Sequence, residues 1–298
     1  MRFAKWMVVV LALVLGHAVQ AAPFDDALAA YERKDYAAAV RGFRSLAVRG
    51  VSVAQFYIGL MYRNGEGVPK DGQQAAYWYR KAAEQGNAAA QNNLGLAHAF
   101  GEGVPKDEQQ AAYWFRKAAE QGDVDGQFNL GQMYRRGEGV PKDDQQALSW
   151  YLKAAEQGDA AAQNALGIMY ATGEGVPKDE QQAYFWWLLA SAKGEQLATQ
   201  NRNKVERVLT HEQRASAQAA ARNWRSKTAE NTQVPRGESI ARPPSRIESA
   251  ASAQADSSGS GFLVARGLVR TFPPTKRKSA SRLNFSFAGC AATGYKPG

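Results

Sequence analysis

The segment Gly65-Glu-Gly-Val-Pro-Lys-Asp71 returns as Gly101 to Asp107, as Gly137 to Asp143 and as Gly173 to Asp179, each copy 36 residues after the one before. Four copies at one spacing leave few architectures open. A unit of this length cannot bury its own apolar face and must stack on its neighbours, which makes the chain a solenoid. The rest of the unit keeps the register. Lys81-Ala-Ala-Glu-Gln-Gly86 comes back at Lys117 to Gly122 and at Lys153 to Gly158, and degenerates to Ala192-Lys193-Gly194.

Each unit reads as two helices. In the second, Ala75, Trp78, Tyr79, Ala82 and Ala83 share one helical face, and the same places hold Ala111, Trp114, Phe115, Ala118 and Ala119, then Ala147, Trp150, Tyr151, Ala154 and Ala155, then Ala183, Trp186 and Trp187. Recurrence at helical spacing makes the tryptophan row core packing rather than a ligand cage. Asp71, Asp107, Asp143 and Asp179 are expected to cap these helices, with Gln74, Gln110, Gln146 and Gln182 completing a capping box.

The first helix carries Ala54, Ile58, Gly59 and Tyr62 and their equivalents. A mid-helix glycine costs about 1 kcal/mol against alanine, so its presence in all four units predicts close approach of a neighbouring backbone. In the loop, Gly65 and Gly67 suit positive φ and Pro69 stops the helix. The loop lacks the strand context and lysine spacing of a phosphate-binding loop.

The unit Ala-x-x-x-Leu-Gly-x-x-Tyr-x-x-Gly-x-Gly-Val-x-x-Asp, followed by Ala-x-x-Trp-Tyr-x-Lys-Ala-Ala-x-x-Gly, resembles the Sel1-like repeats, relatives of the tetratricopeptide repeats. The resemblance implies an all-α fold, a right-handed α-solenoid of stacked helix pairs, with units at 51–86, 87–122, 123–158 and 159–194. Residues 23–50 form a tetratricopeptide-like first pair, and 195–227 form capping helices. It further implies a scaffold that holds a partner protein or peptide on the concave face. First-helix positions off the core stripe are the candidates for that groove: Phe56, Leu60 and Arg63; Asn92, Leu96 and Phe100; Phe128, Gln132 and Arg135; and Asn164, Ile168 and Thr172. Phe56 and Phe128 suit either a groove or the gaps between units.

Outside the repeats, Arg2 and Lys5 precede the apolar run Met7 to Leu15, and Ala18, Ala21 and Ala22 follow. That is the order of a secretory signal peptide over 1–22, so a periplasmic or secreted protein with no membrane span after cleavage is expected. The net charge of +9 sits at the other end: residues 1–221 hold 24 basic and 24 acidic side chains, whereas 222–298 hold 13 and 4. A balanced body argues against a nucleic-acid footprint on the fold.

Residues 228–258, rich in Ser, Ala, Arg and Pro, suit a disordered linker. Ahead of and within the basic stretch 259–298, Ser258 to Val264 and Gly267 to Val269 resemble the strands before the catalytic histidine of trypsin-like serine proteases. The chain continues Arg270-Thr-Phe-Pro-Pro274 without that histidine, so a truncated protease fusion, inactive as it stands, is one alternative. Binding of anionic surfaces or nucleic acid through Lys276-Arg-Lys278 is another.

Neither alternative supplies catalysis. His98, in a place that is Tyr62, Tyr134 and Tyr170 elsewhere, has no second metal ligand in the pattern, and the single cysteine, Cys290, excludes the paired-cysteine chemistry of some β-lactam-associated relatives. No enzyme activity, cofactor, metal or small-molecule substrate is expected.

Overall fold

The computed structural model describes residues 23–224, with the two-residue strands Gln254–Ala255 and Leu263–Val264. The expected signal peptide, linker and basic tail lie outside the described residues, apart from those four positions. The four pair Gln254 with Val264 and Ala255 with Leu263.

Twelve helices form the described body: α1 (23–32), α2 (Tyr36–Val48), α3 (Ser52–Asn64), α4 (Gly72–Glu84), α5 (Ala88–Phe100), α6 (Glu108–Glu120), α7 (Val124–Arg136), α8 (Asp144–Glu156), α9 (Ala160–Thr172), α10 (Glu180–Ala192), α11 (Gln196–Val205) and α12 (His211–Asn223). Each packs on the next through the repeats, and α12 folds back on α10. We call α3, α5, α7 and α9 the A helices and α4, α6, α8 and α10 the B helices.

The helix starts are written where the aspartates stand. Asp71 accepts from the Gln73 and Gln74 amides at 2.9 and 3.0 Å, and Asp107, Asp143 and Asp179 accept from Gln110, Gln146 and Gln182 at 2.9 Å. These glutamines serve through their backbone amides. The reciprocal capping box is closed further along, at Thr210 and Gln213. A helices end on left-handed glycines, with φ of 74° at Gly65 and 72° at Gly101. The second loop glycine is set by its neighbour: a Cβ on Gly67 would stand 2.6 Å from the Tyr36 carbonyl oxygen, and one on Gly103 would enter the Gly72 carbonyl. Each loop is thereby pressed against the start of the preceding pair's second helix.

The core runs continuously along the stack. Tyr79, Phe115, Tyr151 and Trp187 are buried, each ring lying over the mid-helix glycine of its own unit's A helix. A Cβ on Gly59 would be 2.7 Å from Tyr79 ring atoms, and one on Gly95 2.7 Å from those of Phe115. The expected close backbone is therefore chiefly an aromatic ring, although the Ala75 carbonyl also lies 3.2 Å from the Gly59 position. Trp78, Trp114 and Trp150 pack only half-buried against the core, while Trp186 is buried.

Candidate functional site

The twelve candidate groove residues divide sharply by exposure. Phe56, Leu60, Asn92, Leu96, Phe128, Gln132, Asn164 and Ile168 are buried, Arg63, Arg135 and Thr172 are half-buried, and Phe100 is 44% exposed. The eight buried positions correct the expectation that residues off the B-facing stripe line an open groove. In α3 every residue from Ala54 to Met61 is buried, and in α7 every residue from Gly126 to Met133. Eight successive residues cover all directions around a helix of 3.6 residues per turn, so the middle of each A helix is enclosed.

What the buried candidates do is visible in their partners. The Phe56 ring lies 5.6 Å from Tyr57 and 6.1 Å from Tyr79, and Phe128 lies 5.7 Å from Tyr151. Asn92 accepts a hydrogen bond from Asn129 Nδ2 at 2.9 Å, across the junction of the second and third units. The half-buried arginines are also junction groups. Arg135 Nε donates to Glu174 Oε2 at 3.0 Å and its Nη2 lies 2.9 Å from the same oxygen. Arg63 Nη1 donates to Asn93 at 3.0 Å, with Glu102 at 3.6 Å from its Nε. In both, an A-helix arginine reaches the loop glutamate of the next unit. Thr172 donates to the Ile168 carbonyl.

Two further sets of residues organise this surface and escaped the sequence reading. Gln55, Gln91, Gln127 and Gln163 each donate through Nε2 to the carbonyl of Ala47, Ala83, Ala119 or Ala155, in the last turn of the preceding unit's second helix. Each of those carbonyls also accepts from the backbone N–H of Gly50, Gly86, Gly122 or Gly158, so the glutamine adds a second donor and ties the next A helix to the helix end. Gln85, Gln121 and Gln157 in turn donate to Gln55, Gln91 and Gln127 at 2.7, 2.6 and 2.8 Å. Arg44 and Arg116 donate to the hydroxyls of Tyr62 and Tyr134 at 2.8 and 2.7 Å. The 36-residue recurrence of Gln55 was the available signal for the first set, and the fixed separation of 18 residues was the signal for the second.

His98 takes the tyrosine's place 18 residues after Arg80, and the hydrogen bond that Arg44 makes to Tyr62 and Arg116 to Tyr134 is not formed there. It is buried, and neither ring nitrogen has a hydrogen-bond partner of good geometry. Burial first, and the Arg80 charge second, hold its pKa below the usual histidine value, while the Pro105 carbonyl and Asp107 pull the other way. Among the described residues no three His, Cys, Asp or Glu side chains gather as metal ligands, and no helix is long and apolar enough to cross a membrane.

Stacked A/B helix pairs at a 36-residue period, sealed junction to junction, define an α-solenoid repeat protein. The Sel1 repeat model matches residues 52–87, 88–123, 124–159 and 160–195. Of solved structures, a Sel1 repeat protein from Oxalobacter formigenes is 38% identical over 57% of this chain and 72% of its own, with a TM-score of 0.54. A protective antigen present in uropathogenic Escherichia coli strains, displaying an SLR fold, is 39% identical over 69% of this chain, with a TM-score of 0.60. The chain spans 45% of that antigen's length. Among curated proteins nothing matches. The chain belongs to the Sel1 repeat family.

Proposed function

We propose that the chain is an exported protein-interaction scaffold that holds a partner protein or peptide along the A-helix side of the solenoid. The observation that carries this is Phe100, the one large apolar side chain exposed on the A helices among the described residues. It stands at the C-terminal end of α5, one position from the register of Arg63 and Arg135. An exposed aromatic at a helix end suits a contact that partner binding would bury. The enclosed middle turns move the contact from the eight buried candidates to the A-helix ends, where Arg63, Arg135 and Thr172 also lie. Export rests on the sequence pattern over 1–22.

The test is affinity capture from a periplasmic extract with the mature chain and its Phe100→Ala variant, after circular dichroism shows equal helicity. A specific partner whose affinity drops by roughly tenfold in the variant is expected, the size of a lost aromatic anchor. A partner held equally by both forms would refute the role of this end of the A helices. An N-terminus beginning at Met1 in exported material would refute signal cleavage.

A further inference from the structure

The B helices carry adjacent aromatic rings in one register. Tyr77 and Trp78 meet edge to face at 5.1 Å and 80°, Tyr113 and Trp114 at 4.9 Å and 80°, and Phe185 and Trp186 at 5.0 Å and 71°. The three pairs are copies of one construction, yet they meet different surroundings. On the last pair sits Trp224, its backbone extended directly after α12, with its ring 5.6 Å from Phe185 and 5.4 Å from Trp186, edge-on to both. Trp186 is only 5% exposed. In the third unit the partner ring is replaced by Ser149, and Lys153 lies 3.8 Å over the face of Trp150. In the first two pairs the tyrosine stands in solvent, Tyr77 51% and Tyr113 49% exposed, while Trp78 and Trp114 are half-buried against the core.

We propose that Tyr77–Trp78 and Tyr113–Trp114 are docking sites for an aromatic side chain on an extended, acidic segment of a partner protein, seated as Trp224 is seated on Phe185–Trp186. The chain itself supplies the template for the occupant: a single indole on an extended backbone covers a pair of the same geometry. Charge selects its source. Lys81 and Lys117 are the cations set over the Tyr77 and Tyr113 rings, each at 5.8 Å, with the exposed Glu84 and Glu120 one turn further on. The chain's own C-terminal sequence, with 13 basic and 4 acidic residues after position 221, is repelled by such a rim, whereas an acidic segment is drawn to it. This surface is separate from Phe100, which lies at the end of an A helix.

The experiment uses the full mature chain and a fluorescently labelled peptide holding one tryptophan between aspartates and glutamates, with its tryptophan-to-alanine counterpart, read by anisotropy. Tyr77→Ser with Tyr113→Ser copies the residue that the third unit carries at position 149 and touches only exposed rings. Wild type is expected to prefer the tryptophan peptide, and the double variant to bind it about tenfold more weakly, while Val48→Ala, at the exposed end of α2, leaves it unchanged. Equal binding by wild type and double variant would overturn the proposal, as would equal binding of the two peptides or a Val48→Ala effect as large as the double variant's. Self-association in sedimentation velocity that the double variant abolishes would make a second copy the occupant and also overturn it.

Discussion

Replacing Gly95 by alanine separates two accounts of the glycine that every A helix carries. A glycine that is merely tolerated in a helix should give way to alanine with a gain of about 1 kcal/mol, since alanine is the better helix former. The geometry demands the opposite sign. The added methyl would stand 2.7 Å from Cδ1 and Cε1 of Phe115 and 3.2 Å from its Cγ, and that ring is fully buried between α5 and α6. Overpacking of this kind costs about 1–3 kcal/mol, so after the helix-propensity gain a net loss of about 1 kcal/mol is expected. The midpoint of urea unfolding, followed by far-ultraviolet circular dichroism, should fall with its slope unchanged. Phe115→Leu supplies the second half of the test. Trimming the ring frees room for the methyl, so the double variant should be less destabilised than the sum of the singles by about 1 kcal/mol. A rise in the midpoint for Gly95→Ala, or strict additivity of the two substitutions, would refute the ring-over-glycine argument.

Gly103→Ala should be worse than Gly95→Ala, costing about 2–4 kcal/mol by the same assay, because the site combines φ of 76° with direct entry of the new methyl into the Gly72 backbone. For His98 the sign follows from a folded pKa held below the unfolded value of about 6.5: the unfolded chain takes up the proton more readily, so stability falls as pH drops below about 6.5. His98→Tyr, the residue of the other three units, should flatten that loss in denaturation midpoints compared at pH 7 and 5, and a slope equal to wild type would count against it. Lys193→Gln should gain about 1 kcal/mol by offering a donor to the buried, unpartnered Oε1 of Gln163, and an unchanged midpoint would show that the acceptor is already satisfied.

Local chemistry carried most of the architecture into the sequence. An aspartate cap, a left-handed glycine and a helix-stopping proline act within one turn, so their recurrence located every B-helix start and A-helix end without knowledge of packing. The B helix was legible for the same reason: it faces the core on one side only, and Ala75, Tyr79, Ala82 and Ala83 lie on that side. The A helix was not. Its middle turns are buried on all sides, so the polar residues that the pattern assigned to a groove, such as Asn92 and Gln132, are interior amides. Periodicity reports how one helix differs around its circumference, and a helix enclosed throughout gives it nothing to report. The junction role of Arg63 and Arg135 was hidden for a related reason, since an arginine at a junction and one at a groove have the same neighbours in sequence.

The end of the repeat is explained by the junction that fails there. At the earlier ends the B-helix glutamines Gln85, Gln121 and Gln157 donate to the A-helix amides Gln55, Gln91 and Gln127, so each unit closes on itself and on the one before. In the fourth unit the place of the glutamine is Lys193, whose ammonium instead reaches the carbonyl of Gly158. The ladder asks this position for a donor, and the Lys193 ammonium, held at the Gly158 carbonyl, leaves Oε1 of Gln163 without one. The next A-helix position is then taken by α11, ten residues long where the four A helices have thirteen, and its Arg202 returns to Ser191 rather than reaching forward to another unit. With no further B helix to cover α10, α12 folds back on it and Trp224 closes over Phe185 and Trp186. The cap thus covers the aromatic pair at the end of the stack that a further unit would otherwise have had to protect, which is what a solenoid's terminal element must do to stay soluble.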